Sequence, residues 1–196
     1  DKVVVCDDGS SDMTGEIAEK LGVEVLRLAR NRGKGWALRK LFQTALDLNA
    51  EVVVALDGDG THLPEQIPRL LNPILSSNPG PDLVVGSRFT DGGFGPVSRL
   101  NFVGNKLINL LIFFFTGRFL SDSQSGFRAF RRHVLENLNL ESRGYEVESE
   151  LTIRCIRRGC KVLEVPIRCG RTFRVSNLDS FRDGLKILCT ILRAVF

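Results

Sequence analysis

Val52–Leu56, five apolar residues in succession that run into Asp57-Gly58-Asp59-Gly60-Thr61, restricts the fold more than any other stretch of this chain. An uninterrupted apolar strand needs cover on both faces, which a parallel sheet flanked by helices provides. Lys2–Cys6, Glu24–Leu28, Asp82–Gly86 and Lys161–Arg168 read as further strands, separated by stretches of helical period. Thr14–Leu21 is predicted as a short helix that Asp12 or Thr14 caps and Gly22 stops. Lys34–Leu48 is predicted as a longer helix with Trp36, Leu38, Leu41, Phe42, Ala45 and Leu46 largely on one side, and Pro64 opens the next. Strands and helices in alternation imply an α/β fold with a mostly parallel sheet and helices on both faces.

At 196 residues and 43% hydrophobic, the chain is sized for one domain with a real core. Its net charge of +4 is spread over the whole length. That disfavours nucleic acid as a partner and suits anionic small molecules or an anionic membrane surface. The five cysteines, Cys6, Cys155, Cys160, Cys169 and Cys189, lack C-x-x-C spacing, as expected of reduced thiols in a cytosol-facing protein. The chain opens at Asp1 with no signal peptide in view, which reads as a fragment.

Asp7-Asp8-Gly9, Asn31–Gly35 and Asp57–Asp59 all fall where a predicted strand ends. Open parallel sheets bind ligands beyond the carboxyl ends of their strands, so these elements are expected to share one crevice. Asp57–Thr61 by itself admits two chemistries. A haloacid-dehalogenase-type phosphatase places a nucleophilic Asp and an acid/base Asp at this spacing, and a nucleotide-sugar transferase places a cation clamp there. The phosphatase also needs acids after a later strand, whereas Lys161–Arg168 runs into Arg-Cys-Gly-Arg. It leaves Asp7–Asp12 without a role and stands as the alternative.

Eight segments in order, VVVCDDGSSDMT (3–14), NRGKGWALRK (31–40), ALDGDGTHLPEQI (55–67), VVGSRF (84–89), SRLNFVGNKLIN (98–109), DSQSGFRAFRR (122–132), GYEVESEL (144–151) and KVLEVPIR (161–168), resemble the family-two glycosyltransferases of GT-A fold. The likeness is greatest to the dolichyl-phosphate and polyprenyl-phosphate sugar synthases. It implies a Rossmann-like GT-A catalytic domain over 1–180, with the strand that precedes Lys2 in relatives missing; the remaining 181–196, apolar with Lys186 and Arg193 spaced along it, reads as an amphipathic, membrane-proximal segment. It implies inverting transfer of one hexose from a GDP-mannose or UDP-glucose type donor to a polyprenyl phosphate. The implied location is the cytoplasmic face of a membrane, and a non-catalytic GT-A subunit is a further alternative. The Gln-x-x-Arg-Trp of processive synthases is absent, which favours a single transfer.

The resemblance also assigns residues. Asp7, Asp8, Ser10, Lys34 and Asp57 would contact the donor, and acceptor-only carboxylates suit a base or ribose. Asp57 and Asp59 would hold Mg²⁺ or Mn²⁺ against the diphosphate, as hard oxygen donors do. Arg88 and Arg99 would grip the acceptor phosphate with planar guanidinium forks, with Ser125, Arg128 and Arg174 nearby. Asp122 and Arg88 are the catalytic candidates, with Asp122 either a base or an orienting group. A phosphate acceptor is already anionic at neutral pH and needs little base assistance. Thr61 stands where many of these synthases carry Gln, and Arg171 or Arg174 would replace a lost Lys downstream. His62 reads as either metal-facing or structural, and Glu146, Glu148 and Glu150 share a predicted helix, one of them, not singled out, being implied by the resemblance to lie near the acceptor side. The segment 101–119 is too short in its apolar run to span a bilayer, and is expected either in the membrane interface plane or in the core.

Overall fold

The computed structural model describes residues 1–90, 99–170 and 180–195. In chain order the elements are β1 (Val4–Asp7), α1 (Thr14–Lys20), β2 (Glu24–Arg27), α2 (Lys34–Asp47), β3 (Val52–Ala55), a 3-10 turn (Pro64–Gln66), α3 (Ile67–Ser76), β4 (Leu83–Ser87), α4 (Arg99–Thr116), β5 (Arg128–Arg131), α5 (Arg132–Glu136), α6 (Val147–Arg157), β6 (Val162–Pro166) and α7 (Ser180–Val195). Each predicted strand, and the helices predicted at Thr14–Leu21 and Lys34–Leu48, is present to within two residues at its ends.

β1 and β2 pair in parallel, Cys6 opposite Leu26. The second sheet has the order β3-β5-β4-β6. β3, β4 and β6 run in one direction, and β5 lies between β3 and β4 antiparallel to both. Sequence reading missed β5. Its four residues, Arg-Ala-Phe-Arg, carry charge at both ends, yet Arg128, Ala129 and Phe130 are buried because β5 is a central strand with α3 on one face and α2 and α6 on the other.

The core lies on both sides of this sheet. Leu83, Val85 and Phe130 face Leu38 and Phe42 of α2 and Val147, Leu151 and Cys155 of α6. Val84, Phe127 and Ala129 face Leu70 and Ile74 of α3. The alternation of Val84 and Val85 to opposite faces follows the two-residue period of a strand. A third cluster, Ile112, Ile153, Ile187 and Ile191, seats α4 and α7 against α6. α4 therefore buries one face while Val103, Leu107, Leu110 and Phe114 stay exposed on the other. Their spacing of four, three and four residues makes one stripe. Leu185, Leu188 and Leu192 of α7 form a similar exposed stripe. No helix among the described residues is long and apolar enough to cross a membrane.

Candidate active site

The acidic loop after β1 is held by its own side chains. Asp7 is buried, and its Oδ1 accepts from the Ser10 amide at 2.8 Å. Its Oδ2 has no hydrogen bond and lies 3.5 Å from Arg27 Nε. Asp8 accepts from the amides of Arg32 (2.7 Å) and Gly33 (2.8 Å), tying the β1 loop to the loop that opens α2. Gly33 has φ +95°, and a Cβ there would collide with the Arg143 carbonyl oxygen. Only glycine allows this turn, and the turn sets the position of Lys34.

Lys34 extends from the first turn of α2 to the end of β3. Its Nζ is 2.8 Å from Asp57 Oδ1, 3.0 Å from Asp57 Oδ2 and 3.0 Å from Glu148 Oε1. Burial alone would lower the Lys34 pKa, but Glu148 and Asp57 together outweigh it and raise it. Burial likewise pushes Asp57 up, and the Lys34 ammonium pulls it below the usual carboxylate range. Both groups are therefore charged at neutral pH. Gly126 makes room for the pair, since a Cβ there would sit 2.7 Å from Asp57 Oδ2 and 2.8 Å from Lys34 Nζ.

His62 fixes the backbone of the same strand end. Its Nδ1 accepts from the Asp57 amide at 3.0 Å, and its ring stacks on Phe127. Asp57 Oδ2 is also 3.9 Å from Nδ1, a salt bridge only if the ring is protonated. A nitrogen that accepts an amide N–H carries no proton, and burial lowers the His62 pKa, so the ring is neutral and structural.

Asp122 is wholly buried in the loop between α4 and β5. Its Oδ2 accepts from Arg88 Nε at 2.6 Å and the Arg88 amide at 3.1 Å, and its Oδ1 from Arg88 Nη2 at 2.8 Å and Asn105 Nδ2 at 2.9 Å. The paired fork is the strong form of such a contact. Burial opposes the Arg88 charge, and the hydrogen bonds and charge of Asp122 more than restore it. Two elements hold the loop. Glu164 of β6 accepts from the Ser121 amide (2.7 Å), the Ser121 hydroxyl (3.0 Å) and the Asp122 amide (2.9 Å). Asn109 of α4 accepts from the Ser123 amide (3.1 Å) and hydroxyl (2.6 Å).

Arg128 and Ser125 lie inside the protein. Arg128 is 1% exposed and donates to the carbonyls of Ser123 (2.6 Å) and Ser125 (2.7 Å) and to Thr152 Oγ1 (3.0 Å). Its Nε is also 3.2 Å from Glu148 Oε2. Arg128 thus anchors Glu148, and Glu148 anchors Lys34. The Arg99 side chain and Arg174 lie outside the described residues.

Asp59 is exposed, and among the described residues only its Oδ1 is engaged, by the Thr61 amide at 2.9 Å. No group of three or more His, Cys, Asp or Glu among the described residues is arranged to hold a metal by itself. Two hard carboxylates at one strand end, one with an oxygen facing solvent, fit an ion that completes its shell with phosphate oxygens and water.

Sequence reasoning did not single out Glu148, Glu164, Asn105 or Gly126. Glu164 sits within Val-Leu-Glu-Val-Pro, and an acid inside an apolar strand is a signal for a buried carboxylate with a set of donors. Asn105 and Asn109, four apart in an apolar helix, carry the same message. Glu148 was obscured because Glu150 is equally buried, accepting from the Glu141 and Ser142 amides, while Glu146 accepts from the amides of Arg143 and Gly144.

A family described as "Glycosyl transferase family 2" matches residues 1–138. The chain is 37% identical over 193 residues to Glycosyltransferase AglJ of Haloferax volcanii, covering 97% of this chain and 62% of that protein. It is 38% identical over 177 residues to Polyprenol monophosphomannose synthase of Mycolicibacterium smegmatis, covering 84% and 65%. It is 36% identical over 191 residues to Dolichyl-phosphate hexose transferase of Haloferax volcanii, covering 97% and 79%. The chain thus spans less than two thirds of the first and second of these. Among solved structures it superposes on glucosyl-3-phosphoglycerate synthase from Mycobacterium tuberculosis in complex with Mn²⁺, UDP-glucose and phosphoglyceric acid, at TM-score 0.77 and 25% identity, covering all of this chain and 69% of that one.

Proposed function

The chain belongs to glycosyl transferase family 2, and on that premise we propose that it transfers one hexose from a nucleoside diphosphate sugar to a polyprenyl phosphate, with inversion, at a membrane surface. The observation that carries the proposal is the pair of charged groups beyond the same ends of two strands of one sheet. Asp57, charged and clamped by Lys34, closes β3, and Arg88, charged and clamped by Asp122, follows β4. The first suits a cation-borne diphosphate and the second an acceptor phosphate.

Asp57 and Asp59 would hold Mg²⁺ or Mn²⁺, which when bound supplies Lewis-acid stabilisation of the departing nucleoside diphosphate. Asp8 and Asp7 shape the pocket for the base and ribose, with the Ser10 amide fixed on Asp7. Lys34 keeps Asp57 ionised and directed, contributing positive charge close to the diphosphate. Arg88 presents its guanidinium to the acceptor phosphate, and Arg99 and Arg174 are assigned to the same anion from sequence. Asp122, with both oxygens engaged, acts as the positioning residue for Arg88. An acceptor that is already anionic needs orientation and charge stabilisation more than proton removal. The exposed stripes of α4 and α7 would lie in the interface plane, on the cytoplasmic side, and bring the crevice to the lipid phosphate. Names borne by relatives, polyprenol monophosphomannose synthase and dolichyl-phosphate hexose transferase, support this acceptor class.

The test is a donor panel. The complete protein is incubated with GDP-mannose or UDP-glucose, dolichyl phosphate and Mn²⁺, and the anomeric configuration of any glycolipid is read by NMR. An inverted hexosyl lipid from one donor supports the proposal, and a retained configuration or no lipid product from any nucleotide sugar overturns it.

A further inference from the structure

Cys155 in the last turn of α6 and Cys160 just before β6 take no part in the chemistry above. The Cys160 amide donates to the Cys155 carbonyl at 3.1 Å, and Gly159 at φ +77° turns the chain between them. This folds the two residues onto each other. Cys155 is fully buried in the main core and Cys160 half-buried, both with free thiols. Together they line a cavity of about 390 Å³ with His133, Asn137, Leu138 and Arg158. The neighbouring Cys155 thiol, with some help from Arg158, brings Cys160 down to about 7 against the opposing effects of burial and Asp82. The Cys160 sulfur and burial push Cys155 up. A half-exposed thiolate beside a protonated partner thiol is the arrangement of an attacking and a resolving cysteine.

We propose that Cys155 and Cys160 form a reversible disulfide when the protein meets a hydroperoxide, which makes this cavity an oxidisable site separate from the transferase crevice. In the first step the Cys160 thiolate attacks a peroxide oxygen. The O–O bond breaks, the sulfur is oxidised by two electrons to a sulfenic acid, and the peroxide leaves as an alkoxide or hydroxide that takes a proton from water. In the second step the Cys155 sulfur attacks the Cys160 sulfur. The S–O bond breaks, and the departing hydroxide takes the Cys155 proton and leaves as water. Two thiols and one hydroperoxide thus become one disulfide, one alcohol or water, and one further water. The bond would staple the end of α6, whose first turn carries Glu148, to the start of β6, which carries Glu164.

The test uses the native full chain. It is treated with hydrogen peroxide, remaining thiols are blocked with N-ethylmaleimide, and peptides are mapped by mass spectrometry without reduction. The expected result is a Cys155–Cys160 linked peptide that dithiothreitol reverses. In Cys155→Ser, a dimedone adduct should accumulate on Cys160, and in Cys160→Ser the linked peptide should fall to background. If Cys160 stays alkylatable under peroxide that oxidises the exposed Cys189, or links to Cys189 or to a second chain instead, the proposal fails. The wild-type protein alone decides this, so a variant that does not fold leaves the outcome intact.

Discussion

Lys34 Nζ touches both carboxylate oxygens of Asp57, at 2.8 and 3.0 Å, and so occupies the cation side of a residue assigned to a metal clamp. Glu148 Oε1 completes the grip at 3.0 Å. An ammonium shared by two carboxylates leaves the set with one net negative charge, which a divalent ion and a diphosphate can then join without a large charge imbalance. Asp59, exposed and half-engaged, is left as the more available ligand.

Lys34→Met should remove the charge that keeps Asp57 ionised and directed. Breaking a buried or half-buried ion pair by deleting one partner costs about 3–5 kcal/mol at most. Because the Lys34 side chain is 21% and that of Asp57 35% exposed, a loss nearer 1–2 kcal/mol is expected, from the solvent screening that such exposure allows. Urea denaturation measures it, and an unchanged midpoint would show that the pair contributes nothing to the fold.

Arg88→Lys should lower kcat/KM on the order of 100-fold, because a point charge cannot fork onto Asp122 and a phosphate as a guanidinium does. Asp122→Asn should have a similar effect, and the double variant should be little worse than either single one. Full additivity of the two losses would refute a positioning role for Asp122 and favour an independent catalytic one.

Glu164→Gln should destabilise the protein by about 1–3 kcal/mol, since one of the carboxylate oxygens that accept from Ser121 and Asp122 is replaced by a donor. For a chain of this size that is a drop of roughly 2–12 °C in Tm. A calorimetric scan with no shift would contradict the assignment of Glu164 as the anchor of the Asp122 loop.

Leu110→Glu with Phe114→Glu should leave far-UV circular dichroism unchanged, because both side chains face solvent. Flotation of the complete protein with anionic liposomes should fall at least several-fold. Undiminished flotation would remove the α4 stripe from the membrane proposal.

The alternation of apolar runs and helical stretches made most of the fold legible, because each strand but one carries its own apolar signal. β5 did not, because a charged tetrapeptide is buried only by its central place between β3 and β4 and by the helices on the two faces. At the candidate site, motif order singles out Asp57, Asp8, Lys34, Arg88 and Asp122 as candidates, but not the partners that hold them. Asp8 spends its carboxylate on the amides of Arg32 and Gly33, 24 and 25 residues away, and Arg128 turns inward to Glu148 and Thr152. Such pairings depend on tertiary geometry, which spacing along the chain does not encode. His62 and the helix at 101–119 were left between two readings each. The first is a neutral ring bonded to the Asp57 amide, and the second buries one face and exposes the other.

One transfer assay tests the proposed reaction most directly. The complete protein is given a radiolabelled nucleotide sugar, a polyprenyl phosphate and Mn²⁺, and label is counted in the organic phase for wild type and for Asp59→Asn. The account predicts lipid-linked label from wild type and a loss of at least 100-fold in the variant, with protein stability unchanged because Asp59 is exposed. Lipid-linked label formed equally well by Asp59→Asn, or none from wild type with any nucleotide sugar, would contradict it.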